Sequence, residues 1–289
     1  MDREILAIDE TTCLVDRSAL ENRSFKSGTH GEGIMSQAAA NAVFVEHSTN
    51  AAERLIVALD VESVTEARKI VDQLADTISF FKIGLALQWD KGLRDFMDEL
   101  LNKRGCQIFL DYKYGDIGTS LRRGIAGAAD LGVSFLTIQG AGDVGEKDLR
   151  LAVTTTENGK RLKVFLVTVL TSLDQRDLDE LGVVESLLDR VVRRAKIAHR
   201  AGLSGVIASG QEAAEIRKAT DPDFLIIAPG IRPVGTSHDD HKRASTPHQA
   251  ISNSANYLVV GRPIIESASP QQAAQAIVAE MQEAFDLLG

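Results

Sequence analysis

Ile108–Leu121 reads IFLDYKYGDIGTSL and sets four polar or ionisable side chains where an apolar run stops. Ile108, Phe109 and Leu110 have the character of a buried strand, and the two-residue period of a strand turns Asp111 and Lys113 to the same side. Asp116 follows just past the strand. If all three converge, a lysine stands between two carboxylates, an arrangement that loses hydration unless pairing offsets it. For an arbitrary DxKxxD the plain alternative is a strand end with solvated charges. The surroundings of the stretch decide between them.

From Glu53 onward, apolar runs of strand length recur at Leu55–Leu59, Phe80–Leu85, Gln107–Leu110, Val133–Ile138, Val164–Leu170, Gly205–Ala208, Phe224–Ala228 and Tyr257–Val260. Segments with helical spacing lie between them, such as Val64, Ala67, Ile70, Val71 and Leu74, or Val184, Leu187, Leu188, Val191, Val192 and Ala195. Continuous apolar strands alternating with helices imply a parallel sheet covered on both faces. Eight such units close naturally into a (β/α)8 TIM barrel. An open doubly wound sheet is the competitor, but no GxGxxG follows the first run. A last helix is expected over Pro270–Leu288, with Ser269 as N-cap and Pro270 at the first helical position. Residues 1–52 read as an N-terminal extension, with a Gly/Ser-rich stretch at Ser24–Gly33 and a helix expected over Met35–His47, and 53–289 as the catalytic barrel.

Chemistry in such barrels gathers at the C-terminal ends of the strands. There the runs deliver Asp60, then Lys82 with Gly84, then Asp111, Lys113 and Asp116, then Thr171 and Ser172, then Pro229, Gly230 and Arg232, and finally Gly261 and Arg262. Arg232 and Arg262 follow strands seven and eight, whose loops often hold a phosphate in this architecture, so a phosphorylated substrate is expected. Taken alone, a GRP arginine would more often cap a helix or pair with a surface carboxylate. Lys82, Asp111, Lys113 and Asp116 would form an alternating chain of charges that favours ammonium over free amine and suits a proton donor. Schiff-base chemistry needs the neutral amine, and a metal held by Asp111 and Asp116 would compete with the lysine between them.

The composition agrees with a globular enzyme: 289 residues, 44 % hydrophobic, with 32 basic against 41 acidic residues and a net charge of -9. That balance argues against a nucleic-acid footprint. Cys13 and Cys106 are far apart and lack CxxC partners, which suggests neither a disulfide framework nor a structural zinc site. No run of about 18 apolar residues occurs, and Asp2, Glu4, Asp9 and Glu10 stand where a signal peptide would carry positive charge. A cytoplasmic protein with no membrane contact is expected.

The chain from about Leu55 onward resembles the orotidine 5'-phosphate decarboxylase family. The resemblance rests on VALD at Val57–Asp60, FKIGL at Phe81–Leu85, FLDYKYGDI at Phe109–Ile117 and VTVLTSLDQRDLDELG at Val167–Gly182. It continues in APGIRP at Ala228–Pro233, DDHKRASTP at Asp239–Pro247 and VVGRPI at Val259–Ile264. It implies that orotidine 5'-monophosphate is decarboxylated to uridine 5'-monophosphate, in de novo pyrimidine synthesis, without cofactor or metal. Asp60 would bind the ribose, with Lys82 beside it. Asp111 would lie against the substrate carboxylate, and Lys113 would protonate the carbon that loses carbon dioxide. Asp116 would serve the neighbouring subunit of a homodimer, with Ile117 and Ser120 beside it. Thr171 and Ser172 would face the pyrimidine, while Pro229, Arg232, His241, Gly261 and Arg262 would form the phosphate side.

The family usually continues KxHDIPNT after the lysine, whereas this chain has Gly115, Gly118 and Thr119 at the His, Pro and Asn positions. Ser120 keeps the hydroxyl of the threonine. Gln139 replaces the usual histidine after strand four, and His241 the glutamine that bridges phosphate and base. Two other functions stay open: a magnesium-dependent decarboxylase or aldolase acting on a sugar phosphate, and a phosphate-binding barrel that has lost catalysis.

Overall fold

The computed structural model describes residues 50–139, 146, 147, 149, 150, 162–234 and 242–288. Eight parallel strands close into a barrel in sequence order: β1 Leu55–Ala58, β2 Phe80–Gly84, β3 Gln107–Tyr114, β4 Phe135–Ile138, β5 Lys163–Val167, β6 Gly205–Ile207, β7 Leu225–Ala228 and β8 Tyr257–Val260. Pairing of β1 with β8, through Leu55↔Leu258, Ile56↔Val259 and Val57↔Val260, completes the circle. The expected (β/α)8 TIM barrel is the fold found. Most of the expected extension, including the helix over Met35–His47, lies outside the described residues.

Two layers of apolar packing hold the barrel. Inside, Phe80, Phe109, Phe135, Phe165 and Tyr257 meet with Ile56, Leu225 and Ile227. The Phe135 ring lies 4.9 Å from Phe80 and 5.2 Å from Tyr257, both edge to face, each such pair adding about 0.5–1.5 kcal/mol beyond the area it buries. At the N-terminal end, the Arg54 guanidinium lies 5.1 Å from the centre of the Tyr257 ring. This aromatic plug fills the lower barrel, and Ala58, Phe109 and Val259 form the boundary where the cavity above begins. Outside, the helices cover the strands through stripes such as Val64, Ala67, Ile70, Val71 and Leu74 on α2 Val64–Leu74, where the spacing predicts them.

Further α-helices follow in order. After α1 Ala51–Arg54 and α2 come α3 Leu93–Asp98, α4 Gly118–Asp130, α5 Gln175–Glu180, α6 Leu187–Ala201, α7 Ala213–Lys218, α8 Pro247–Ser252, α9 Arg262–Ile265 and α10 Pro270–Leu288. The last has the bounds expected of it. The helix expected to include Val184 starts later, because the Ser186 side chain accepts from Asp189 N at 3.1 Å and caps α6, leaving Val184 fully exposed.

Most strands match their apolar runs to within two residues at each end, and two depart further. β3 continues four residues past Leu110, to Tyr114, so Asp111 and Lys113 belong to the strand itself. Its pairing with β4 passes from Leu110↔Leu136 to Tyr114↔Ile138, a shift in register. β5 ends at Val167 and not at Leu170. There the Val169 and Leu170 carbonyls accept from the Arg243 guanidinium at 3.1 and 2.9 Å.

Candidate active site

The C-terminal mouth of the barrel holds a cavity of about 610 Å³. Of the residues the sequence marks, Asp60, Lys82, Asp111, Lys113, Thr171, Ser172, Pro229, Arg232, Gly261 and Arg262 line it. They come from β2, β3 and the segments after β1, β5, β7 and β8. Closure of the barrel brings together residues as far apart as 60 and 262.

From the end of β1 across β2 to β3 the charges alternate in space. Lys82 Nζ lies 2.9 Å from Asp60 Oδ1 and 3.4 Å from Asp111 Oδ2. Lys113 Nζ donates to the other Asp111 oxygen, Oδ1, at 3.0 Å. Lys113 adopts φ 48, the left-handed region that costs a non-glycine residue about 1–2 kcal/mol. Its backbone N–H donates to Thr137 Oγ1 at 2.9 Å, and that hydroxyl donates to Asp111 Oδ1 at 2.9 Å. One buried threonine of β4 therefore fixes both the backbone of Lys113 and the carboxylate beside it.

Burial is the largest influence on the Lys82 ammonium and would lower its pKa, but Asp111 and Asp60 together outweigh it and hold it above the ordinary lysine value. For Asp111, burial is again largest and acts upward, yet Lys82, Lys113 and the Thr137 hydroxyl carry the net shift below the usual carboxylate range. Both Asp111 oxygens are thus engaged by ammonium groups. A divalent cation there would have to displace a lysine. Among the described residues, no group of three or more His, Cys, Asp or Glu side chains stands ready to hold a metal.

Gly84 ends β2 against this array. A Cβ there would lie 3.0 Å from Asp60 Oδ1 and 3.2 Å from Lys82 Nζ, so glycine leaves the space that the ion pair fills. Across β1, Arg232 is buried, and its segment is tied back by Arg232 N donating to Ser245 O at 2.9 Å. Gly230 takes φ 73, which glycine tolerates without strain. Gly261 precedes the short helix α9, which Arg262 opens. The arginines and the charge array thus occupy different parts of one rim.

Asp116, Ile117 and Ser120 do not join the cavity of their own chain. All three are exposed at the start of α4, and the Asp116 carboxylate accepts from Ile117 N at 2.8 Å. The convergence of Asp111, Lys113 and Asp116 considered from the sequence therefore does not occur within one chain. The lysine stands beside Asp111 alone, because Gly115–Ile117 turns the chain outward before α4 begins. His241, assigned to the phosphate side, lies outside the described residues.

Thr137 is the site residue that sequence reasoning overlooks. Its signal was a lone hydroxyl within the apolar run Phe135–Ile138, on the strand next to the Asp111 strand. Leu85, Ala86 and Glu266 also line the cavity without having been singled out.

The model of the orotidine 5'-phosphate decarboxylase / HUMPS family matches residues 53–277. The chain belongs to that family. It is 45 % identical over 235 residues to an orotidine 5'-phosphate decarboxylase of Nitrobacter winogradskyi, covering 81 % of this chain and 95 % of the relative. The enzyme of the same name from Afipia carboxidovorans is 42 % identical and is covered to 96 %. The crystal structure of orotidine 5'-phosphate decarboxylase from Lactobacillus acidophilus matches with a TM-score of 0.66 at 32 % identity, over 78 % of this chain and 98 % of that one. The family inferred from the sequence motifs is thereby borne out. No helix of the described residues is long and apolar enough to cross a membrane.

Proposed function

We propose that this chain is an orotidine 5'-phosphate decarboxylase, converting orotidine 5'-monophosphate to uridine 5'-monophosphate and carbon dioxide in pyrimidine synthesis. The observation that carries this reading is the alternating run Asp60–Lys82–Asp111–Lys113, from the segment just after β1 and from β2 and β3, facing a cavity that also holds Arg232 and Arg262. In this reading Arg232, Arg262 and Gly261 hold the phosphate, while Asp60 and Lys82 hold the ribose. Thr171 and Ser172 face the pyrimidine, and Pro229 and His241 belong to the phosphate side. Asp111 sets its carboxylate against the substrate carboxylate.

The C6–carboxylate bond breaks with its electron pair left on C6, and carbon dioxide departs. That carbanion has no conjugated sink, so a placed cation must stabilise it. Lys113 does so and then transfers its Nζ proton to C6; the neutral amine regains a proton from solvent. A unit charge pair at about 4 Å in an effective dielectric near 20 is worth roughly 4 kcal/mol. The hardest enzymatic reactions need roughly 20 kcal/mol. Lys113 therefore acts within a preorganised site, where Thr137 and Asp111 fix it before substrate arrives, and phosphate binding supplies the rest. A cytoplasmic homodimer, in which Asp116, Ile117 and Ser120 complete the partner's site, belongs to the same reading.

The direct test follows the ultraviolet absorbance of orotidine 5'-monophosphate with purified protein, with and without EDTA. Loss of substrate absorbance that EDTA leaves unchanged is the expected result. No loss, or loss that requires magnesium, overturns this reading and directs the search to sugar phosphates.

A further inference from the structure

The segment that returns from the loop after β7 carries a buried cation, Arg243, that does not itself line the cavity but holds residues that do. Arg243 is 6 % exposed. Its guanidinium donates to Leu173 O at 2.9 Å, Leu170 O at 2.9 Å and Val169 O at 3.1 Å. Its remaining nitrogen lies 2.7 Å from the equally buried carboxylate of Glu212. The three carbonyls bracket Thr171 and Ser172, which line the cavity. The backbone of the same segment is joined to the opposite wall. Arg232 N donates to Ser245 O at 2.9 Å, Ser245 N donates to Gly230 O at 3.3 Å, and the Arg243 carbonyl accepts from Ser209 Oγ at 2.7 Å.

An ion taken out of water is harder to bury than an apolar side chain of the same size, and charge alone does not explain its choice. A planar fork that can hold several carbonyls at once is what arginine offers and lysine does not. A single residue, Ala244, separates the guanidinium-bearing position from Ser245, so movement of either wall is passed directly to the other.

We propose that Arg243, braced by Glu212, is a positioning residue that joins the Gly230–Arg232 wall to the Thr171–Ser172 wall. Anchoring a phosphate at the first wall then sets the second for the base. The assignment of phosphate and base to these walls rests on the function proposed above.

The test compares wild type with the double variant Arg243→Met/Glu212→Leu, which removes both buried charges together, and with Arg243→Lys. Calorimetric binding of uridine 5'-monophosphate, which spans both walls, is measured beside that of ribose 5-phosphate, which reaches only the first. Thermal melting gives the control for folding. The double variant is expected to melt within about 4 °C of wild type, to bind the nucleotide at least about tenfold more weakly and to bind ribose 5-phosphate within about twofold of wild type. Arg243→Lys, which keeps the charge and loses the fork, is expected to lose nucleotide binding selectively as well. It carries the test if the double variant does not fold. Unchanged nucleotide binding, or equal weakening of both ligands, overturns the joint. Wild type that binds ribose 5-phosphate but not the nucleotide overturns instead the reading of the site on which the joint depends.

Discussion

Lys113 Nζ lies 3.0 Å from Asp111 Oδ1 while the lysine backbone is held at φ 48 by its hydrogen bond to Thr137. Replacing Lys113 with alanine removes the cation and the proton donor but leaves the Arg232 and Arg262 side of the cavity in place. Turnover is expected to fall by more than about 10³-fold, with uridine 5'-monophosphate still bound. Steady-state rates and calorimetry on the same preparation check both halves. Retained turnover would exclude Lys113 as the donor.

Asp111 links stability to pH. Its carboxyl is held below its ordinary value near 3.8 by Lys82 and Lys113, against the upward pull of burial. A group depressed in the folded state contributes stability above its unfolded pKa and loses it as pH falls through the folded value. Wild type should therefore exceed Asp111→Asn in denaturation midpoint near neutral pH, and the gap should close as pH falls below about 4. Lys82 acts in the opposite sense: its raised value keeps its contribution below the ordinary lysine pKa and releases it only at higher pH. A gap between wild type and Asp111→Asn that stays constant down to about pH 3 would contradict the depressed carboxyl.

The barrel was legible because strands buried on both faces must be apolar throughout, and all eight runs became strands. The rim was legible because Asp60, Lys82, Asp111, Arg232 and Arg262 interrupt or follow those runs. Less visible was whatever depends on one strand meeting another. Thr137 acquires its role from the β3 register shift, which leaves its hydroxyl between Lys113 N and Asp111. Arg243 reaches carbonyls about 70 positions away, a contact with no periodicity to announce it. Asp116 shows the reverse failure. Its spacing from Lys113 suggested convergence, but the turn before α4 carries it outward.

Gly84 offers a test of how closely the array is packed. An alanine Cβ would press on Asp60 Oδ1 and Lys82 Nζ at 3.0 and 3.2 Å. Asp60 is half exposed and can swing aside, so the fold should survive with a melting temperature within about 4 °C of wild type. The displaced carboxylate is expected to lower kcat/KM by about 10- to 100-fold. Unimpaired kcat/KM in Gly84→Ala would show that the pair tolerates displacement.

Gly118 stands where the family usually has proline, yet it sits at φ 53, which the proline ring cannot reach. Restoring proline should therefore lower both stability and kcat/KM. Gly118→Ala should lose only about 1 kcal/mol of stability. Denaturant titration of the two variants separates ring strain from loss of glycine freedom. A Gly118→Pro variant that gains activity would mean that the working loop has a different backbone.

Asp116 is exposed and outside the cavity of its own chain, whereas Lys113 lines it. If Asp116 acts in the site of a second copy, Lys113→Ala and Asp116→Ala each inactivate the homodimer for separate reasons. Dissociating the two variants together and reassembling them forms mixed dimers. One site in each then carries both lesions, and the other carries neither. Two nearly inactive preparations should in that case recover about a quarter of the wild-type activity on random pairing. No recovery, with mixed dimers confirmed by native mass spectrometry, would place the action of Asp116 within its own subunit and require the Gly115–Gly118 turn to fold inward over the cavity.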